Sequence, residues 1–586
     1  MKKILILLII ISTVLALMQC AQVGSPTGGK KDTIPPRFVK SIPEMRQTNF
    51  NGDRVTITFD EYIDLKNINR DFLVSPPLKN KPDIRLRGRS VVVKMSDTLK
   101  ENTTYTLDFA NCITDLNENN IFKNFQFSFA TGEKIDTLRM SGQVVNAFSH
   151  KPEEGVFVFA YKNFTDSTPI KKLPDYLTRT DKEGKFSLNN VAQNRYRIFA
   201  LKDGNNNMLF DLPNEAIAFN DTVYDPQARN AVRIDTVKIR KGTIKKDSTF
   251  PTKYTLFTPN NLKLYLFKEN NLKQFLKTST RKETAKCQFI FNAPLTGNYQ
   301  FKPLNFIATA KNLIVEKTKT NDTITYWLTD SLQYKKDTIL FSTTYEKLDS
   351  LGKTINKTDT VKFIYAQTVE NKKPSKTPQV KPRLEKCKVN VSASALMNLN
   401  VPIVFDFSKP IHSYDVSKIH LYEFEDKKMI PVKFTFAQDT FHIRQYRLNV
   451  QWKENTTYKL KADSLTFIDL FNKSIDSVSV KFTTQKLNFY GTIKVNLKTV
   501  TGKGNIIVQL LRDKETVVQE IIADKNNVVQ FNYLSPNKYM IRAILDDNKN
   551  KIWDTGKYIK DLQPETVLYY KDEITVKSNW DNEIDW

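Results

Sequence analysis

KENTTYTLDF at residues 100–109 reads as an Asn-bearing turn that leads into a strand whose apolar side chains alternate with polar ones. The same opening returns as KENTTYKLKA at 453–462, and 29 residues after each of the two lysines stands a closing strand phenylalanine, Phe129 in FAT and Phe482 in FTT. Equal spacing across that distance marks a duplicated domain. The period-two pattern also runs through VTITF (55–59) and FQFSF (125–129). Strands with one apolar face need a second sheet to cover it, so sandwiches follow. Helical periodicity is nearly absent after the N-terminal segment.

A second repeat follows the first. Val191, Tyr196, Ala200, Asp203, Asn205, Asn207 and Asp211 map onto Leu534, Tyr539, Ala543, Asp546, Asn548, Asn550 and Asp554 at a constant offset of 343. The unit that was copied therefore contains two domains. Between the copies, runs such as KLYLF (263–267), TITYWL (323–328) and VKFIYA (361–366) predict a further β-sandwich. The expected order is a signal peptide at 1–19, a tether at 20–34, sandwiches at 35–134, 135–245 and 250–366, a Lys/Pro linker at 367–385, and sandwiches at 386–486 and 487–586. The fold class is all-β, as tandem sandwich domains with one pair duplicated.

The N-terminus sets Lys2 and Lys3 before an apolar run, Ile4 to Leu17, that ends at Cys20. The run is shorter than the roughly 20 residues a spanning helix needs and reads as a secretory signal. Cys112, Cys287 and Cys387 are scattered and odd in number, so neither a disulfide framework nor a zinc site is expected. The formal net charge of +26 would suit nucleic acid, but an exported chain meets anionic lipid and acidic proteins instead. The lysines form no dense block, which favours a solvated basic surface and no nucleic-acid partner.

Leu17-Met18-Gln19-Cys20 resembles a bacterial lipobox, with Gln19 standing where a small residue is usual. CAQVGSPTGGKKDTIPP, VTITFDEYIDLKN and SVVVKMSDTLKENTTYTLDFANCITDLNENN resemble the bacterial Ig-like domain of Bacteroidetes outer-membrane lipoproteins. SGQVVNAF with TRTDKEGKFSLNNV, and YGTIKVNL, resemble the small transthyretin-like or carboxypeptidase-regulatory-like domain. The resemblance implies an all-β lipoprotein held in outer-membrane lipid by acylated Cys20, on the periplasmic face or at the cell surface. It implies no reaction. Location suggests outer-membrane β-barrel or envelope complex proteins as partners of a scaffold or accessory subunit. An adhesin that binds carbohydrate or matrix is the alternative.

Aspartate followed by Ser or Thr and a small or aliphatic residue resembles a Bacteroidetes O-glycosylation sequon. The acceptors would be Thr33, Thr98, Thr137, Thr222, Thr236, Thr323, Ser331, Thr338, Ser350, Thr360, Ser464 and Ser477. The same tripeptide also starts strands, with Asp closing a turn and Thr opening a ladder. Catalytic constellations are missing: His150, His412, His420 and His442 show no metal or triad spacing, and no nucleophile elbow or phosphate loop occurs. No enzymatic activity is expected.

One constellation remains. Asp203, Asn205, Asn207 and Asp211, and in the second copy Asp546, Asn548, Asn550 and Asp554, stand at positions 1, 3, 5 and 9 of a calcium loop. Position 6, a glycine in such loops, is Met208 or Lys551, and the position-12 glutamate is Asn214 or Lys557. Two readings stand: a hairpin loop whose Asx side chains cap their own backbone, or a weak Ca²⁺ clip with an affinity of about 10⁻⁴ to 10⁻³ M.

Overall fold

A computed structural model describes residues 31–165, 167–241, 244–270, 274–309, 311–348, 354–365, 387–426 and 428–586. Cys20 and Ser350 lie outside the described residues. Among these residues the helical pieces are single turns, such as Ser331–Tyr334 capped by Asp330, and none is long or apolar enough to cross a membrane. The chain divides into two compact units, Met1–Lys268 and Glu269–Trp586.

The first unit holds two sandwiches. In the first, Phe38–Ile42, Arg54–Phe59, Ser90–Lys94 and Asp83–Arg87 form one antiparallel sheet, and Leu73–Ser75, Thr104–Ala110 and Phe125–Ala130 form another. Alternation selects the inward face: Val55, Ile57 and Phe59 are buried, and they meet Phe109, Phe127 and Phe129 from the opposite sheet.

The repeated KENTTY is a tie between strand and turn. Asn102 and Asn455 take left-handed φ values of 46° and 48°, which turn the chain into the strand. The backbone N–H of Lys100 donates to the Tyr105 hydroxyl at 2.9 Å, and that of Lys453 to Tyr458 at 3.1 Å. Across the sheet, Thr131 Oγ1 donates to the Lys100 carbonyl at 2.7 Å and accepts the Thr103 N–H at 3.0 Å. Thr484 repeats both bonds with Lys453 and Thr456, at 2.5 and 3.0 Å. Tyr105 stacks on Phe129 at 5.7 Å and Tyr458 on Phe482 at 5.6 Å. The spacing of 29 is thus set by a tyrosine and the phenylalanine it stacks on, each paired across neighbouring strands.

In the second sandwich, Leu138–Asn146 pairs with Lys185–Val191, facing a sheet of Tyr176–Arg179, Phe157–Tyr161, Tyr196–Lys202 and Ala216–Tyr224. Leu262–Lys268 runs parallel to Leu138–Asn146, with Gly142 opposite Leu262. This corrects the expected boundary: the KLYLF strand, assigned by pattern to the central sandwich, closes the preceding one, and 135–245 extends to Lys268. Its alternating leucines fit any sandwich core, so local pattern could not name the partner. The second copy repeats the closure, with Asp581–Asp585 parallel to Gly491–Asn496. Gly142 and Gly491 allow the close approach, since an added Cβ would lie 2.1 Å from the Leu262 carbonyl oxygen and 2.8 Å from that of Trp580, the residue before the closing strand, respectively.

Between Ala216–Tyr224 and the closing strand, Gln227–Lys241 and Ile244–Thr258 form a hairpin of two 15-residue strands. Among the described residues these two strands pair only with each other.

The second unit has three cores. The central sandwich sets Leu276–Glu283, Lys286–Phe291, Thr323–Leu328 and Leu313–Lys317 against Gln300–Pro303, Thr338–Leu348 and Thr354–Ile364. Phe289 is its hub, with ring centroids of Phe301, Tyr326, Phe341 and Phe363 within 5.9 Å. The next sandwich repeats the first in order: Val389–Val391, Ile403–Phe407, Gln445–Asn449 and Thr435–Gln438 form one sheet, and Thr457–Ala462 pairs Val478–Thr484 in the other. The last has Asn505–Arg512 beside Asn537–Asp546, over a core of Ile493, Val508, Phe531 and Ile541.

Candidate functional site

Each Asx loop leaves the end of a central strand, Tyr196–Lys202 in the first copy and Asn537–Asp546 in the second. The first aspartate anchors the loop. Asp203 Oδ1 accepts the N–H groups of Asn205 and Asn206 at 3.0 and 2.7 Å, and Oδ2 accepts that of Met208 at 2.7 Å. Asp546, fully buried, accepts the N–H groups of Asn550 and Lys551, both at 3.0 Å, and the Asn505 amide. Asn207 Oδ1 caps Leu209 N–H at 2.8 Å, as Asn550 Oδ1 caps Ile552 N–H at 2.9 Å.

The missing glycines have a local consequence. Met208 and Lys551 adopt φ of 63° and 67°, the left-handed region that favours glycine, and Asn206 and Lys549 do the same at 59° and 63°. Both copies hold this conformation because the carboxylate of the first aspartate, half-buried at Asp203 and fully buried at Asp546, collects N–H groups that it turns inward.

The far ends of the loops meet the same amides. Asn205 Nδ2 donates to Asp211 Oδ1 at 3.2 Å and Asn207 Nδ2 to Oδ2 at 2.7 Å, while Asn548 and Asn550 donate to Asp554 Oδ2 at 2.5 and 2.6 Å. All eight predicted residues therefore belong to two closed networks.

Sequence reasoning missed one member of each network. Glu215, only 2% exposed, accepts the N–H groups of Gly204, Asp211 and Leu212, each at 3.0 Å. Glu565 accepts those of Asp547 and Asp554, also at 3.0 Å. Burial pushes the Glu565 carboxyl above its usual range, and the nearby Asp554 and Asp546 push the same way against the two N–H donors. The glutamates hold the two ends of each loop together. Glu215 follows Asp211 by 4 positions and Glu565 follows Asp554 by 11, so a constant-offset comparison cannot align them.

Oxygen-only donors suit a hard cation. As built, however, the Asn205, Asn207, Asn548 and Asn550 amides face the closing aspartates with their NH₂ groups. An ion would require them to turn over and give up their backbone caps. Among the described residues no group of three or more His, Cys, Asp or Glu side chains is placed to hold a metal ion.

Of the twelve sequon hydroxyls, Thr33, Thr98, Thr137, Thr222, Thr236, Thr360, Ser464 and Ser477 are exposed, and Thr323, Ser331 and Thr338 are half-buried. Thr323 and Thr338 each open a strand, while Asp330 before Ser331 caps a helical turn. Cys112, Cys287 and Cys387 are free, buried thiols, and burial pushes Cys112 and Cys287 up to about 12.

Residues 32–131 match the family of bacterial Ig-like domains. Comparison with curated protein sequences finds no match. Among solved structures, the chain is similar to the S-layer protein rSbsC(31-844), at 12% identity over 92% of this chain and 68% of that one, with a TM-score of 0.13. It is similar to BcpA, the major pilin subunit of Bacillus cereus, at 11% identity over 76% of this chain and 98% of that one, with a TM-score of 0.14. For the BSP domain of a biofilm associated protein the values are 10%, 94%, 99% and 0.12. Likeness at this level does not extend to function.

Proposed function

We propose that the protein is a lipid-anchored scaffold or accessory subunit of an outer-membrane protein complex of barrel-assembly, secretion or receptor type, and that it works by protein contact rather than turnover. The duplicated pair of sandwiches carries this reading. What the copies keep in common is structural: the Tyr–Thr tie, the closing parallel strand and the self-capped Asx loop. Copying a pair with those features multiplies surface and reach and repeats no reactive group. The apolar run ending at Cys20 supports the anchor. Acylation with more than one chain would hold such a protein on the membrane stably, since a single chain binds only weakly.

Extraction of the native membrane in mild detergent, followed by pull-down, tests the reading. A stoichiometric β-barrel partner is expected, and Cys20→Ala should release the chain into the soluble fraction. Membrane retention of that variant with its N-terminal run intact would remove the anchor from the account.

One observation favours the adhesin as second reading. Tyr569, Tyr570 and Trp586, together with Lys498, Lys571 and Asp585, line an open cleft of about 420 Å³ in the last sandwich. Aromatic faces beside polar groups can stack on sugar rings. Glycan-array binding without a stable protein partner would favour it.

A further inference from the structure

Among the described residues, the hairpin 227–258 is built unlike the other strand pairs. Its strands of 15 residues each reach about 50 Å. Its root is fixed: Ser141 N–H donates to the Pro259 carbonyl at 3.1 Å, and the Arg139 guanidinium lies over the Phe257 ring at 5.0 Å. Further out, among the described residues, neither outer edge is paired, and Arg229, Val232, Arg233, Ile234, Phe250 and Lys253 are exposed. A two-stranded ribbon of this kind is marginal in water on its own.

Its side chains are not those of a solvated ribbon. Val232 is 60% and Ile234 74% exposed. The register sets Val232 opposite Lys253 and Ile234 opposite Pro251, so these four share one face. The other face carries Arg233 over the Tyr254 ring at 5.7 Å, with Phe250 also exposed. Residues 227–258 contain eight Lys and Arg against two Asp.

We infer that this hairpin is a membrane-docking arm, which lays its Val232–Ile234–Pro251 face against an anionic lipid bilayer to which its net positive charge draws it. Charge complementarity selects the occupant. A second copy of the arm would bring two strongly basic ribbons together and is opposed by their charge. A nucleic acid would satisfy the cations but has no use for exposed Val and Ile side chains. An anionic bilayer interface takes both, because aliphatic side chains enter the boundary of headgroups and acyl chains while Lys and Arg remain among the phosphates. Water at that depth still satisfies the open ribbon edges. The inference does not rest on acylation of Cys20.

The test uses the full chain carrying Cys20→Ala, so that no acyl chain contributes, with co-sedimentation on phosphatidylglycerol-containing vesicles and on pure phosphatidylcholine vesicles. The readout is the ratio of the two, which cancels any contribution of the N-terminal apolar run. Binding should favour the anionic vesicles and weaken steeply with salt. Val232→Ser with Ile234→Ser should weaken it at least about tenfold, because two aliphatic side chains no longer leave water. Lys253→Glu, which keeps Val232, Ile234 and Pro251 but reverses the charge beside them, should weaken it about fivefold or more and reduce its salt dependence. Equal binding to both vesicle types would overturn the inference. So would undiminished binding by both variants, or arm-dependent self-association or nucleic-acid binding in place of lipid binding.

Discussion

Tyr105→Phe removes one oxygen and little else. The ring keeps its stack on Phe129 at 5.7 Å, and the side chain is 1% exposed, so no cavity of consequence opens. What disappears is the acceptor of the Lys100 N–H at 2.9 Å, the bond that fixes the turn against the strand. That N–H lies near the surface, where water can partly replace the lost partner, so the cost is that of one net hydrogen bond, about 1 kcal/mol. For a sandwich of roughly 100 residues this lowers Tm by about 4–8 °C. Thr131→Val cuts two bonds of the same turn, to the Lys100 carbonyl and from the Thr103 N–H, and should cost somewhat more. Because both changes release one turn, the double variant should fall short of the sum by about 0.5 kcal/mol or more. Calorimetry of the full chain is the assay, with Tyr458→Phe as internal reference. Since Tyr458 ties a different sandwich, its variant should shift a different transition by a similar amount. If Tyr105→Phe melts like the parent, or if both variants move the same transition, the tie is not what the duplicated motif preserves.

The buried tyrosines predict alkaline unfolding. Burial pushes Tyr176, Tyr326 and Tyr446 from 10.0 up to about 12, so the stability they contribute is complete below pH 10 and is lost as pH rises through about 12. Tyrosinate absorbance should therefore appear together with loss of β-sheet circular dichroism, and ionisation in a chain that stays folded would contradict it. In the Asx loops, Glu215→Ala strands three N–H groups and should destabilise its sandwich by about 2–3 kcal/mol. Millimolar Ca²⁺ should raise the parent's Tm relative to EDTA only if the four inward amides can turn over, and identical melts would leave both loops as turns. Intact-mass analysis of protein from its native host should show added mass at exposed sequon residues such as Thr98 or Thr137, and an unmodified mass would leave those threonines to backbone chemistry alone.

Some of this was legible in the sequence for physical reasons. A strand with one buried face must alternate, so VTITF announced itself, and a tie that spans two strands must preserve spacing, so Lys100–Phe129 and Lys453–Phe482 did too. Other features depend on closure in three dimensions. Nothing local tells Leu262–Lys268 to pair with Leu138–Asn146 rather than with the strands that follow it. Glu215 and Glu565 escaped because loops tolerate insertion, and a carboxylate can reach backbone N–H groups from different sequence distances in the two copies. The long hairpin escaped because its alternation looks like that of any strand, and only the absence of neighbours along its described edges sets it apart.

The copies differ where they meet their neighbours, and that is where a chain built by duplication has to be remade. Asn190 and Tyr533 occupy matching positions and share a left-handed φ of 54°. In the first pair, Asn190 donates to Thr106 at 2.9 Å and Asn189 to Gln126 at 2.8 Å, so the strand Thr104–Ala110 is covered on both faces and its outer positions are Thr106 and Asp108. In the second pair, Tyr533 turns instead to Tyr490 at 5.4 Å, and Tyr490 accepts the Leu399 N–H at 3.0 Å. The strand Thr457–Ala462 keeps strict alternation, with Lys459 and Lys461 on the face that Thr106 and Asp108 occupy in the first. A lysine tolerates a half-wet surface and resists dry burial, so these two positions exclude the packing used by the first pair. The strand pairing slips at Asn190 and at Tyr533 alike, so one copied irregularity serves two junctions, and the outward-facing residues of a single strand distinguish them.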